Sequence, residues 1–278
     1  DVIVRSPSIT TFDCDKVVEA TYQTLKQFPD RELIGEDVIS CGSIDKIYLS
    51  SHRILSTGTH IGDGIYGKPT GKKVIYRVIA DCLVKDNKVI EEWIIRDEKS
   101  ILNQLGIQTY DYVKQKIKEG IYTKKDINLI KNCFKIKNKI PACESKYTNK
   151  YKKHFLNIIK DQSNIYHFYE RSAQLYWIGG ELVYTLDQIF EKWKLFLSCF
   201  KISKCEISNN ILLNQKNMRP RASMRWRLIC KHSQNGIFGT PTNKDVEIFG
   251  ISHAEFGKNG IVREFILIDE ISIWKQIL

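Results

Sequence analysis

Two runs in the chain end on an aspartate that leads into a helix-forming stretch: EEWIIRDEKSI, with Asp97, and REFILIDEISI, with Asp269. A carboxylate held in apolar surroundings is costly to ionise, so its pKa climbs toward neutrality and it becomes a better base. The same aspartate, at the junction of a strand and a helix, is also a good N-cap. Both uses are open for Asp97 and Asp269. Alternation along the strand sets Val89, Glu91, Trp93, Ile95 and Asp97 on one face and Ile90, Glu92, Ile94 and Arg96 on the other. In the second run Phe265 shares the face of Asp269, against Glu264. Trp93 and Phe265 are therefore expected beside the aspartates, as substrate contacts in a pocket.

Asp81 and His253 occupy one position of the two runs with different acid–base character. His253 with Asp269 is a candidate dyad, and Asp81 with Asp97 a like-charged pair. His60 and His232 end the preceding strands in phase with Ile54 and Trp226. A histidine there can orient a substrate carbonyl or bond the adjoining turn. Arg53 and Arg225, on the opposite face, suit an exposed or interface salt bridge.

These residues come in pairs because the chain is a duplication. HIGDGIYGKPTGKKV begins at His60 and HSQNGIFGTPTNKDV at His232, 172 positions apart. Aligned without gaps, 53–106 and 225–278 share 18 of 54 residues, where chance gives about three. GKPTGKK is not a phosphate loop: counting back from Gly71 lands on Tyr66 where that motif needs glycine, and Lys73 stands in the hydroxyl position.

In each copy a helical run comes first (DKVVEATYQTLKQF and LDQIFEKWKLFLSCF), followed by strands and a hairpin around Asp86-Asn87-Lys88 or Gly257–Gly260. This predicts an α+β fold with helices on one side of a bent antiparallel sheet. The boundaries read as a first domain over 1–108, a lysine-rich helical connector over 109–145, and a second domain over 146–278. The connector predicts one helix ending at Gly120 and another capped by Thr123 with Asp126. The second domain opens with a helical run that puts Tyr151, Phe155, Ile158 and Ile159 on one face. Asp1 aligns with Ala173, so the first copy as given has no counterpart to that helix: either the helix is missing and the cone is expected to stand partly open, or the middle segment supplies a substitute.

Composition narrows the classes. Eight cysteines are scattered with no C-x-x-C spacing, which suits reduced thiols in an intracellular, cytoplasmic protein and offers no zinc site. No run approaches the roughly 18 apolar residues of a membrane span, and the opening DVIVRSPSITTFDCD reads as neither a basic leader nor an apolar signal core. Net charge is +11, but 107–160 alone carries fourteen lysines, no arginine and four acids. A lysine-only excess on helix faces speaks against nucleic acid.

The segments GTHIGDGIYGKPTGKKV and EEWIIRDEKSILNQLG, after a helix and Phe28-Pro29-Asp30, resemble the SnoaL-like polyketide cyclases of the nuclear transport factor 2-like (cystatin-like) superfold. The second copy matches more loosely, in register. The resemblance implies two tandem cone-shaped domains, each a curved antiparallel sheet wrapped by helices around an apolar pocket. It implies sheet-to-sheet pairing, either between the chain's own two domains or in a homodimer, and a small hydrophobic molecule as ligand. In that family an aspartate is the acid/base of an intramolecular aldol closure needing no metal or cofactor. This makes Asp97 and Asp269, with His253, the catalytic candidates, and His60, His232, Trp93, Phe265, Trp226 and Asp81 the substrate-binding ones. The superfold also includes isomerases and non-catalytic binding or assembly modules, so fold alone leaves function open.

Overall fold

The structure, a computed structural model, describes residues 2–7, 10–43, 45–123, 143 and 145–278. Two six-stranded sheets repeat one topology. The first is built from β1 (Ile3–Arg5), β2 (Thr10–Phe12), β3 (Glu32–Gly42), β4 (Ile47–Thr59), β5 (Lys73–Lys85) and β6 (Lys88–Arg96) in the order β2-β1-β6-β5-β4-β3. The second has β7 (Tyr169–Trp177), β8 (Glu181–Val183), β9 (Phe200–Leu213), β10 (Arg221–His232), β11 (Asp245–Phe256) and β12 (Ile261–Ile268) in the order β8-β7-β12-β11-β10-β9. The sheets are mixed rather than antiparallel throughout: β1 runs parallel to β6, and β7 to β12. A strand ahead of the first helix pairs with the last strand of the meander, and a crossover that long permits the parallel sense. Bulges between Gly35 and Asp37, and between Arg225 and Trp226, bend the long strands.

The turns follow local chemistry. Asp86 and Asn87 both take positive φ between β5 and β6, the two-residue hairpin geometry that Asn favours. In the repeated bend, Gly64 and Gly67 exchange backbone hydrogen bonds, as do Gly236 and Gly239. Gly67 and Gly239 sit at φ 94° and 78°, which a side chain would strain. The aromatic inside each bend is an anchor: Tyr66 stacks on Tyr112 at 6.2 Å, and Phe238 packs edge-on to Trp274 at 5.3 Å.

The helices repeat as well. α1 (Cys14–Gln27) and α2 (Glu98–Leu105) flank the first meander. α3 (Thr109–Lys118) is the connector's first helix, and its expected second helix, after Thr123, lies outside the described residues. α4 (Lys146–Lys160) opens the second domain, capped by a Ser145–Thr148 box. The single turn α5 (Ile165–Phe168), α6 (Leu186–Leu197) and α7 (Glu270–Ile277) complete it. The two sheets meet face to face through Ile79, Trp93, Ile95, Phe249, Ile251 and Leu267, so each sheet buries one face against the other.

Candidate functional site

The face expected to line a pocket lies against the other domain. Ser223 Oγ donates to Ser51 Oγ at 2.9 Å, two residues 172 positions apart, which marks a local two-fold axis between the sheets. Around it the pairs exchange contacts. The Arg225 guanidinium stacks over Trp93 at 4.4 Å, and that of Arg53 over Phe265 at 3.6 Å. Asp81, fully buried, accepts from Asn209 Nδ2 at 2.6 Å and pairs with Arg225 at 3.4 Å. His253 hydrogen-bonds Ser51 Oγ through Nε2 at 2.7 Å, and Arg53 Nη1 lies 3.4 Å from Nδ1. Burial, followed by the neighbouring Arg53, His52 and Arg221, holds the His253 imidazole well below its ordinary pKa. Asp81, His253, Trp93 and Phe265 thus join domains instead of facing into a cone. Alternation assigned them to one face correctly; it could not say that a second sheet covers that face.

Both aspartates cap helices. Asp269 accepts from Ser272 N at 3.1 Å. Asp97 accepts from Ser100 N at 3.0 Å and reaches across the domains to Gly179 N at 2.9 Å and Gly180 N at 3.1 Å. Burial pushes the Asp97 carboxyl up to about 6, against the three N–H donors, which favour its charge. Asp97 and Phe265 line one inter-domain cleft of about 370 Å³ with Arg77, Tyr176 and Trp177. The expected dyad does not assemble: His253 pairs in register with Phe265, four residues short of Asp269. Asp81 likewise pairs with Trp93, four short of Asp97.

The paired histidines serve the bends. His60 Nδ1 lies 3.2 Å from Thr70 Oγ1, and His232 Nδ1 lies 3.3 Å from Thr242 Oγ1. Both are fully buried, and desolvation lowers both pKa values.

The concave walls differ between the copies. In the second domain the wall is sealed. Trp226, fully buried, donates to Ser252 Oγ at 3.2 Å and packs 4.8 Å from Phe155 of α4. Phe155 in turn meets Trp193 of α6 at 5.9 Å. Beneath α4, Glu264 accepts from Tyr151 Oη at 2.6 Å and from Tyr169 Oη. Burial pushes the Glu264 carboxyl up to about 7 although both hydroxyls pull it down. Trp226 fills the cone it was expected to offer to a substrate.

In the first domain no helix of the described residues covers the equivalent wall as α4 does, although Ser50, Val78 and Ala80 on it are buried. Glu92 stands where Glu264 does, and burial raises its pKa. In register beside it, Cys82 and Ser50 continue the row across β5 and β4. Ser50 Oγ lies 2.8 Å from Nε2 of His52, which replaces Met224. Desolvation lowers the His52 pKa. Ser50, His52 and Cys82 went unnoticed in sequence because the second copy has Ala222, Met224 and Ala254 there. The identity of Glu92 and Glu264 was the available signal, and face assignment had set it aside.

Among the described residues no group of three or more His, Cys, Asp or Glu is arranged to hold a metal, and no helix is long and apolar enough to cross a membrane.

Among solved structures the chain is similar to a SnoaL-like polyketide cyclase from Agrobacterium tumefaciens, at 15% identity and TM-score 0.37, over 49% of this chain and 100% of that one. It is similar to AclR from Streptomyces galilaeus at 26% identity and TM-score 0.33, over 38% of this chain and only 64% of AclR. TsrD from Streptomyces laurentii matches at 10% identity and TM-score 0.39, over 48% of this chain and 97% of TsrD. Each match takes up half of the chain or less, and the likeness is one of fold. No family model matches the chain, and no curated protein does.

Proposed function

We propose that the chain is a non-catalytic module of the cone fold. In it the second domain is a filled scaffold and the first domain carries the receptor face for an apolar occupant. The carrying observation is the contrast between two copies of one wall. In the second domain Trp226, Phe155 and Trp193 fill the cone. In the first, Leu33 and Val38 of β3, in register with Ser56 and His52 of that wall, stay exposed. Exposed apolar groups gathered in one place favour a binding role. Two carboxylates engaged as helix caps speak for binding rather than turnover.

An environment-sensitive apolar dye, anilinonaphthalene sulfonate, tests this. Its fluorescence should rise saturably with the native chain and fall with Val38→Asp, while Leu195→Asp, an equally exposed site on α6, leaves it unchanged. Enhancement indifferent to Val38→Asp would sink the reading.

One observation favours a second reading, a cofactor-independent cyclase of small apolar substrates. Asp97, its pKa raised to about 6, lines a 370 Å³ cleft beside Tyr176 and Phe265. That reading requires ring closure of a poly-β-ketone by the native chain, abolished by Asp97→Asn.

A further inference from the structure

Two thiols meet where β3 of the first domain passes β9 of the second. Cys41 lies near the end of β3, in register with Leu49 of β4. Its counterpart in the second copy is Leu213 of β9. Both pack at one edge of the domain interface, against Ile39, Leu49, Leu83 and Ile211. Cys143 joins the same cluster from two residues ahead of Ser145, the cap of α4. It is held at two points. Its carbonyl accepts from Thr148 Oγ1 at 3.1 Å, and its Sγ donates to the Leu212 carbonyl of β9 at 3.7 Å.

The Cys41 and Cys143 side chains hydrogen-bond each other, and both are half-buried. Other cysteines have different company. Cys82, Cys205 and Cys230 have carboxylates as charged neighbours, whereas Cys41 has a second thiol. A disulfide tolerates little displacement of its two sulfurs, so thiols already in contact in the reduced fold are placed to form one.

We propose that Cys41 and Cys143 are a redox modification site. With a low-molecular-weight disulfide such as oxidised glutathione they close into a disulfide that fastens β3 of the first domain to the entrance of the second. Burial, then the Cys143 thiol beside it, pushes the Cys41 thiol up to about 12, which makes it a poor first nucleophile. Cys143 therefore attacks first. It releases its proton, and its sulfur displaces one glutathione as a thiolate, which takes up a proton. The product is a mixed disulfide on Cys143. Cys41 then gives up its proton and attacks the Cys143 sulfur, expelling the second glutathione, which is protonated in turn. Two protein thiols lose two electrons and two protons, and one glutathione disulfide becomes two thiols. The bond closes a loop of about a hundred residues that holds β4, β5, β6, α2 and α3, and long loops constrain the unfolded chain most.

The full chain, freed of reductant, is incubated with oxidised glutathione, blocked with N-ethylmaleimide and digested with trypsin without reduction. Mass spectrometry should find peptide 32–46, which contains Cys41, joined to peptide 140–146, which contains Cys143. This should be the dominant cross-link, and dithiothreitol should release it. Cys143→Ser should abolish it, while Cys205→Ser, outside the cluster, leaves it in place. The wild-type map stands whether or not the variants fold. The oxidised chain should melt about 4–16 °C above the reduced one, a difference that Cys143→Ser removes. Glutathione adducts without the cross-link, a dominant cross-link through Cys133 or any other thiol, or equal melting midpoints for the oxidised and reduced chains would overturn the proposal.

Discussion

Asp97→Asn measures whether burial or hydrogen bonding governs the carboxyl that ties the domains together. Asp97 is 3% exposed and receives N–H donors from Ser100, Gly179 and Gly180. Those donors favour the carboxylate, while burial opposes it, and burial wins: the pKa rises from 3.8 to about 6. A gap of about two pH units, at about 1.4 kcal/mol each, corresponds to roughly 3 kcal/mol. Because the folded value lies above the unfolded one, this contribution is fully present below about pH 4 and lost as pH rises through about 6. Asparagine does not titrate, so the difference in unfolding free energy between wild type and variant isolates the group. Urea unfolding, followed by tryptophan fluorescence between pH 4 and 7.5, should show the wild type gaining roughly 3 kcal/mol over the variant on acidification. A flat difference, or one of opposite sign, would refute the reasoning. It would mean that three amide donors outweigh desolvation and that Asp97 is an ordinary ionised cap.

Further outcomes follow from the same contacts. Phe155→Ala should cost about 3–5 kcal/mol in urea unfolding, because Trp226 and Trp193 cannot both close the void. A change below about 1 kcal/mol would contradict a sealed second cone. Asp81→Ala removes the carboxylate facing the buried Arg225 and should lower stability by about 3–5 kcal/mol, whereas Asp245→Ala, on the surface, should be nearly silent. His253 has the opposite pH sense to Asp97. Its folded pKa is depressed, so its contribution is present above about 6.5 and lost as pH falls. His253→Gln should therefore lessen acid destabilisation relative to wild type, and a variant equally acid-labile would argue against it.

The repeat made much of this fold legible. A shift of 172 positions predicted two copies of one unit, and the strand order repeats at that shift. The Asn87 hairpin, the glycine bend and the helix caps were readable because each depends on residues within a few positions. The parallel pairing of β1 with β6 was not, since it joins segments nearly ninety residues apart. The site was misjudged for a sharper reason. Period two sorts residues into faces but does not label which face meets helices and which meets another sheet. Usually polarity labels them, because one face of an antiparallel sheet is wet. Here Trp93, Ile95 and Asp97 and their opposites Ile94 and Glu92 are all wholly or largely withdrawn from water, and polarity gives no label.

The face that the two sheets share also explains how the copies could diverge so unequally. The interface binds them to each other, so its changes are matched: Trp93 and Phe265 differ, yet each lies beneath the arginine of the other domain. The concave walls answer only to what lies above them. Even there substitutions are coupled. A Cβ on Gly250 would come within 2.1 Å of the Trp226 ring, so that tryptophan requires that glycine, and where Ile54 stands a valine fits at 78. One substitution therefore cannot convert either wall into the other, since changing Ile54 or Gly250 alone produces a clash. In the second domain Tyr151 of α4 and Tyr169 of β7 are buried with Trp226 and Glu264, whereas in the first Glu92 continues a row of Ser50, His52 and Cys82.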